Sequence, residues 1–112
     1  MIDRIEEYFY RIQKSILNTE SEYASHTTMK YISRIITDLL LLNHELDFVD
    51  MHTYHYTDII QSKLNDSNLF NLKEVAKIQK LFLIPTPSIV QIVSTINILN
   101  KKLEQSMKTY HD

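Results

Sequence analysis

The chain of 112 residues contains no glycine, no cysteine and no tryptophan, and only two prolines. Glycine supplies positive φ at tight turns and lets backbone approach a phosphate closely, so its absence excludes the phosphate-binding loop and the dinucleotide fingerprint. It also argues against a β-rich fold, whose short hairpins draw on Asn-Gly and similar pairs, and against the sharp serine turn of the hydrolases. Without cysteine there is no disulfide framework, thiolate nucleophile or cysteine zinc site, a pattern that fits a reducing compartment. Long apolar runs are scarce as well. The stretch Leu39–Leu42 is four residues long, against the roughly 20 that cross a bilayer. The opening Met1-Ile2-Asp3-Arg4-Ile5-Glu6-Glu7 lacks the basic and then apolar pattern of a secretion signal. A cytoplasmic location with no membrane association is therefore the expectation.

What is present is the profile of a folded protein: 44% hydrophobic residues, 23% charged residues and a formal net charge of -2. This length suits one domain covering 1–112. Apolar spacing makes it helical. Ile2, Ile5, Phe9, Ile12 and Ile16 alternate steps of three and four, which predicts a first helix over 3–17. Residues 18–27 read as a polar connector in which Thr19 and Glu22 could begin a turn of helix. Met29, Ile32, Ile36, Leu39 and Leu46, widened by Ile35 and Leu40, predict a central helix from about Thr28 to Phe48. Within it Asn43 interrupts the apolar seam, a position that can fix register.

A third helix is predicted over about 52–64, with Asp50 as its cap, until Asn65-Asp66-Ser67-Asn68 breaks it. Asn71 followed by Glu74 reads as a capping box for a fourth, which Ile84-Pro85 ends because the residue before proline is pushed out of helical geometry. Thr86-Pro87 signals a fifth helix with a threonine cap and proline at its first position, running to about Met107. Ile89, Ile92, Ile96, Leu99 and Leu103 give it a second clean seam. We expect an all-α, single-domain bundle of four or five helices.

Candidate chemistry is sparse. His52, His55 and Asp58 fall one helical turn apart and could share a face, with His44 upstream, but they match neither the di-iron nor the zinc-helix pattern, so no metal or cofactor is expected. No nucleophile arrangement stands out, and the chain is not expected to be an enzyme. The seven tyrosines are a supply of amphipathic rings suited to interfaces, and Tyr8, Tyr54 and Tyr56 are the candidate partner-binding residues.

Charge is uneven. Residues 1–66 carry eleven acids and six bases, net -5, and residues 67–112 carry three acids and six bases, net +3, which together give -2. In the basic part, Lys73, Lys77 and Lys80 recur at helical spacing. With the break at Ile84-Pro85 and the polar Ser88, Gln91 and Thr95 beyond it, the segment has the outline of a helix-turn-helix, without its turn glycine. The expected function is a helical protein-protein interaction module of the regulator, inhibitor, immunity or chaperone type. The two clean seams add an expectation of self-association as a homodimer. The alternative is a DNA-binding regulator using the basic carboxy-terminal helices, with Lys73, Lys77, Lys80, Ser88, Gln91 and Thr95 meeting nucleic acid.

Overall fold

The computed structural model describes residues 1–53 and 56–111. They form six helices: α1 (Ile2–Leu17), α2 (His26–Leu42), α3 (Phe48–Thr53), α4 (Tyr56–Asp66), α5 (Leu72–Leu83) and α6 (Ile89–His111). The described residues hold no strand, only an isolated bridge between Tyr23 and Ser88. The expected all-α bundle is therefore the observed architecture, with five principal helices and the short α3.

Helix α2 lies at its centre. Ile32, Ile35, Ile36, Leu39 and Leu40 are all fully buried, which matches its broad apolar stripe. Helices α1, α4 and α6 pack around it. Polar groups inside α2 are satisfied locally: Thr37 Oγ1 donates to the Ser33 carbonyl at 2.8 Å, and Ser33 Oγ to the Met29 carbonyl at 3.0 Å.

Cross-links set the directions. Ser15 meets Thr28, while Arg4 meets Asp38, so α1 and α2 form an antiparallel hairpin. Helices α2 and α6 run parallel, because Tyr23 bridges Ser88 just before each begins and Asn43 Nδ2 donates to Ser106 Oγ at 2.8 Å near their far ends. Asn43 thus fixes the register of α2 against α6 within the chain, also donating to the Leu39 carbonyl. The seams that motivated self-association are consumed internally, since Ile5, Ile12, Ile92, Leu99 and Leu103 all lie in the core.

Several features differ from the sequence reading, and the larger differences have local reasons. Helix α2 stops at Leu42 rather than Phe48. The His44 N–H donates to the Leu41 carbonyl and the Glu45 N–H to the Leu40 carbonyl, the paired bonds of a Schellman end, with His44 at φ 61 where glycine usually sits. The single third helix is replaced by α3 and α4. Asp50 lies within α3 and faces Lys63, its Oδ2 3.6 Å from Nζ. The connector forms no helix: Thr19 Oγ1 accepts from the Ser21 N–H and Ser21 Oγ from the Tyr23 N–H.

The last difference is at the start of α6, which begins at Ile89, beyond the Thr86-Pro87 signal. Ser88 and Gln91 cap it reciprocally: Ser88 Oγ accepts from the Gln91 N–H, and Gln91 Oε1 accepts from the Ser88 N–H. Pro87 is instead committed to the connector pairing, its carbonyl accepting from the Ala24 N–H at 2.8 Å. By contrast, the Asn71 and Glu74 capping box forms as read.

The α2 end yields a direct test. A non-glycine residue in the left-handed region carries a steric penalty, so His44→Gly is expected to stabilise the fold by about 0.5–1 kcal/mol after allowing for the looser unfolded chain. Thermal melts followed by circular dichroism would show it. A lower melting temperature for the glycine variant would contradict this account of the helix end.

Candidate functional site

The α1–α2 hairpin carries the most organised polar surface among the described residues. Tyr8 stacks on Tyr31 with ring centroids 5.9 Å apart and planes inclined by 26°. Arg34 Cζ lies 6.0 Å from the Tyr8 ring centroid, and Arg11 Cζ lies 5.9 Å from that of Tyr31. The four side chains form a column, arginine, tyrosine, tyrosine, arginine, whose rings gain from both stacking and cation–π attraction. Both tyrosines are half-buried and help to cover the core. Arg11 is fastened from its own helix, with Nε and Nη2 donating to Glu7 Oε1 at 3.1 and 2.8 Å. These bonds, then the proximity of Tyr31, hold its guanidinium even more firmly protonated than usual.

Further along the same hairpin, Arg4 grips Asp38 with two hydrogen bonds, Nε to Oδ2 at 2.9 Å and Nη2 to Oδ1 at 3.2 Å. The carboxylate side chain is only 7% exposed. Burial pushes the Asp38 carboxyl above its ordinary value, while the Arg4 charge and hydrogen bonds pull it back down. A carboxyl raised in this way binds a proton more readily in the folded chain than in the unfolded one. The stability it contributes is complete below the unfolded pKa and is lost as pH rises through the folded one. Arg4 limits that loss. Arg4→Ala is accordingly expected to cost about 2 kcal/mol at neutral pH, more than Asp38→Asn, which removes the buried charge itself. Urea titrations across pH should show the Arg4→Ala deficit shrinking as pH falls toward the raised Asp38 pKa, before the ordinary carboxylate range is reached. A deficit independent of pH would rule out this linkage.

Beside the column, His26, Lys30 and Arg34 follow one another at steps of four along α2. Together with Met29, Ser33, Thr57 and Phe82 they line a shallow cleft of about 270 Å³ between α2, α4 and α5. On the other side of the column, Arg11, Lys14 and Tyr31 line a second depression.

The helix-turn-helix residues are placed differently. Lys73, Lys77 and Lys80 are exposed on α5, and Lys77 and Lys80 line a groove with Val90, Gln91, Ser94 and Thr95. Ser88 and Gln91 are occupied as a helix cap, and Thr95 is 2% exposed with its hydroxyl donating to the Gln91 carbonyl. Helices α5 and α6 pack side by side in opposite directions: Glu74 near the start of α5 meets Lys102 late in α6, while Leu81 near the end of α5 lies by Val90.

Of the tyrosines singled out from the sequence, Tyr8 belongs to the column. Tyr54 and His55, and the side chains of His52 and Tyr56, lie outside the described residues. His44 is exposed at the end of α2. Among the described residues no three His, Asp or Glu side chains converge as metal ligands, and no helix is long and apolar enough to cross a membrane. Sequence reasoning missed Arg4, Arg34, Asp38 and Tyr31, which become neighbours of their partners only through the hairpin. The spacing of His26, Lys30 and Arg34 was a readable signal that went unused.

Comparison with protein-family models found no match, and comparison with curated proteins and with solved structures found none either.

Proposed function

We propose that this protein is a small helical interaction module that binds another protein through the α1–α2 face. The observation that supports this reading is the column of Arg34, Tyr8, Tyr31 and Arg11. Tyrosine and arginine carry a disproportionate share of binding energy at protein interfaces. Here their rings and guanidinium groups are already held in place by stacking and by Glu7, so less side-chain freedom remains to be lost on association. A regulator, inhibitor, immunity protein or chaperone could act through such a face.

The test is site-specific photo-crosslinking in the native cell from Lys14, beside Arg11 and Tyr31, with exposed Asn100 on α6 as the comparison position. The expected result is a discrete protein adduct from Lys14, absent from Asn100 and lost on Arg34→Glu. Adducts of equal yield from both positions, or none from Lys14, would defeat the reading.

A nucleic-acid reading draws on one observation, the convergence of Lys77 and Lys80 on the α5–α6 groove. Its intended base-reading side chains, Ser88, Gln91 and Thr95, already have partners within the fold. Anisotropy of labelled duplex DNA at low and physiological salt separates the two readings, since phosphate contacts give steep salt dependence.

A further inference from the structure

We propose that the cleft between α2, α4 and α5 receives an acidic segment of the partner protein, with carboxylates along α2 and an apolar side chain in the cleft floor. This deepens the interaction reading above and rests on it. The argument begins with charge. Arg4, Arg11, Lys63 and Lys102 each have a carboxylate within 4.0 Å. Lys30 and Arg34 are among the bases that have no such ion pair with a described residue, and together with His26 they line one cleft. Asp38, whose ionisation Arg34 assists, is already gripped by both donors of Arg4.

Geometry narrows the occupant. Residues spaced by four on a helix lie on nearly one face, and three of them extend over about 12 Å along the axis. That is the reach of roughly four extended residues or two turns of a docked helix. Between the cations the floor is apolar, made by Met29 and Phe82, and both side chains are half-buried rather than sealed into the core. Ser33 adds no free donor because its hydroxyl is spent on the Met29 carbonyl. The surface therefore offers positive charge at its rim and apolar contact at its centre.

A peptide with carboxylates flanking a leucine or phenylalanine supplies both complements. A nucleic acid backbone supplies the anions without the apolar group, and it extends its charge well past the cleft. Residues 1–66, which hold Lys30 and Arg34, have a net charge of -5 with histidine counted as neutral. Such a field opposes a long polyanion much more than a short segment whose few charges sit directly on the cationic row.

The probe is a fluorescein-labelled synthetic peptide of twelve residues with glutamate pairs flanking central leucines, titrated with the 112-residue chain and followed by anisotropy. Controls are the same peptide with glutamine for glutamate, and labelled duplex DNA. The expected result is saturable binding of the acidic peptide that weakens several-fold between 50 and 300 mM salt, with resonances of Met29 and Phe82 shifting on titration. Lys30→Glu should weaken binding at least tenfold. Lys30 is exposed and makes no hydrogen bond or ion pair with a described residue, so this variant is expected to melt like the parent. Arg34→Gln is the second variant and should weaken binding several-fold.

Equal binding of the glutamine peptide, no binding at low salt, indifference to Lys30→Glu, or DNA perturbing the same resonances more strongly would each overturn the proposal. The Lys14 crosslink separates the two levels of inference. If the crosslink persists while the acidic peptide fails, the cleft assignment falls and the interaction face stands. Failure of both removes both.

Discussion

Replacing Lys102 with alanine is expected to lower the unfolding free energy by about 3–5 kcal/mol. Lys102 Nζ lies 2.9 Å from Glu74 Oε1, with the two side chains 11% and 12% exposed. The same carboxylate oxygen accepts the Asn71 N–H at 2.9 Å, so one group closes the cap of α5 and anchors α6 to it. Removing the ammonium strands a nearly buried carboxylate and takes a cation from the Phe70 ring, whose centroid lies 5.9 Å from Nζ. Glu74→Gln leaves the capping geometry available but strands the ammonium instead. Replacing both residues with apolar groups of similar size should restore much of the loss, because the desolvation cost disappears with the charges. A double-mutant cycle in urea reads the coupling directly. Purely additive losses would mean that the two charges do not stabilise one another.

Leu39→Ala is expected to be comparably damaging, at about 3–5 kcal/mol. Leu39 is fully buried, with Ile35, Ile36 and Leu40 equally buried around it on α2. Helices α1, α4 and α6 all pack on α2, so the vacated volume has little room to collapse. Leu72, also an apolar residue at a helix but 88% exposed, supplies the contrast: Leu72→Ala should stay within about 0.5 kcal/mol. Similar losses at the two sites, in urea or thermal unfolding, would mean that α2 is not the centre of the core. A loss of this size is a large part of the roughly 5–15 kcal/mol that holds most domains folded.

The parts of the fold that could be read from the chain are those determined by neighbours in sequence. The steps of three and four that mark α1 and α6, the Asn71 and Glu74 cap, and the stop before Pro85 all act within one or two turns, and the structure contains each of them. The end of α2 was not readable because its Schellman turn is made with His44, and histidine adopts positive φ too rarely for its presence to mark a helix end. The Ser88 and Gln91 box was readable, but Thr86-Pro87 offered a competing start. Only the pairing of Pro87 with Ala24 decides between them, and that pairing is set by tertiary structure.

The candidate surface follows the same division. Tyr8 was identified as a possible partner contact, and it does lie in the organised face. Its stacking on Tyr31 and the cation contributed by Arg34 depend on two helices folding back on one another, which residue spacing alone does not specify. The pairs Arg4 with Asp38, Glu74 with Lys102 and Asn43 with Ser106 are likewise products of the bundle. The Lys73, Lys77 and Lys80 spacing was correctly placed on one helix, yet the polar residues beyond it were absorbed by capping and burial.

The short pairing of residues 22–24 with 87–89 governs how the molecule comes apart. The Ile89 N–H donates to the Glu22 carbonyl and the Ala24 N–H to the Pro87 carbonyl, both at 2.8 Å. The first turn of a helix ordinarily frays alone at little cost. Here, opening the first turn of α6 also breaks these bonds and releases the segment that leads into α2. The amino-terminal and carboxy-terminal hairpins are thus joined where α2 and α6 begin, so loosening one of these helix starts loosens the lead into the other.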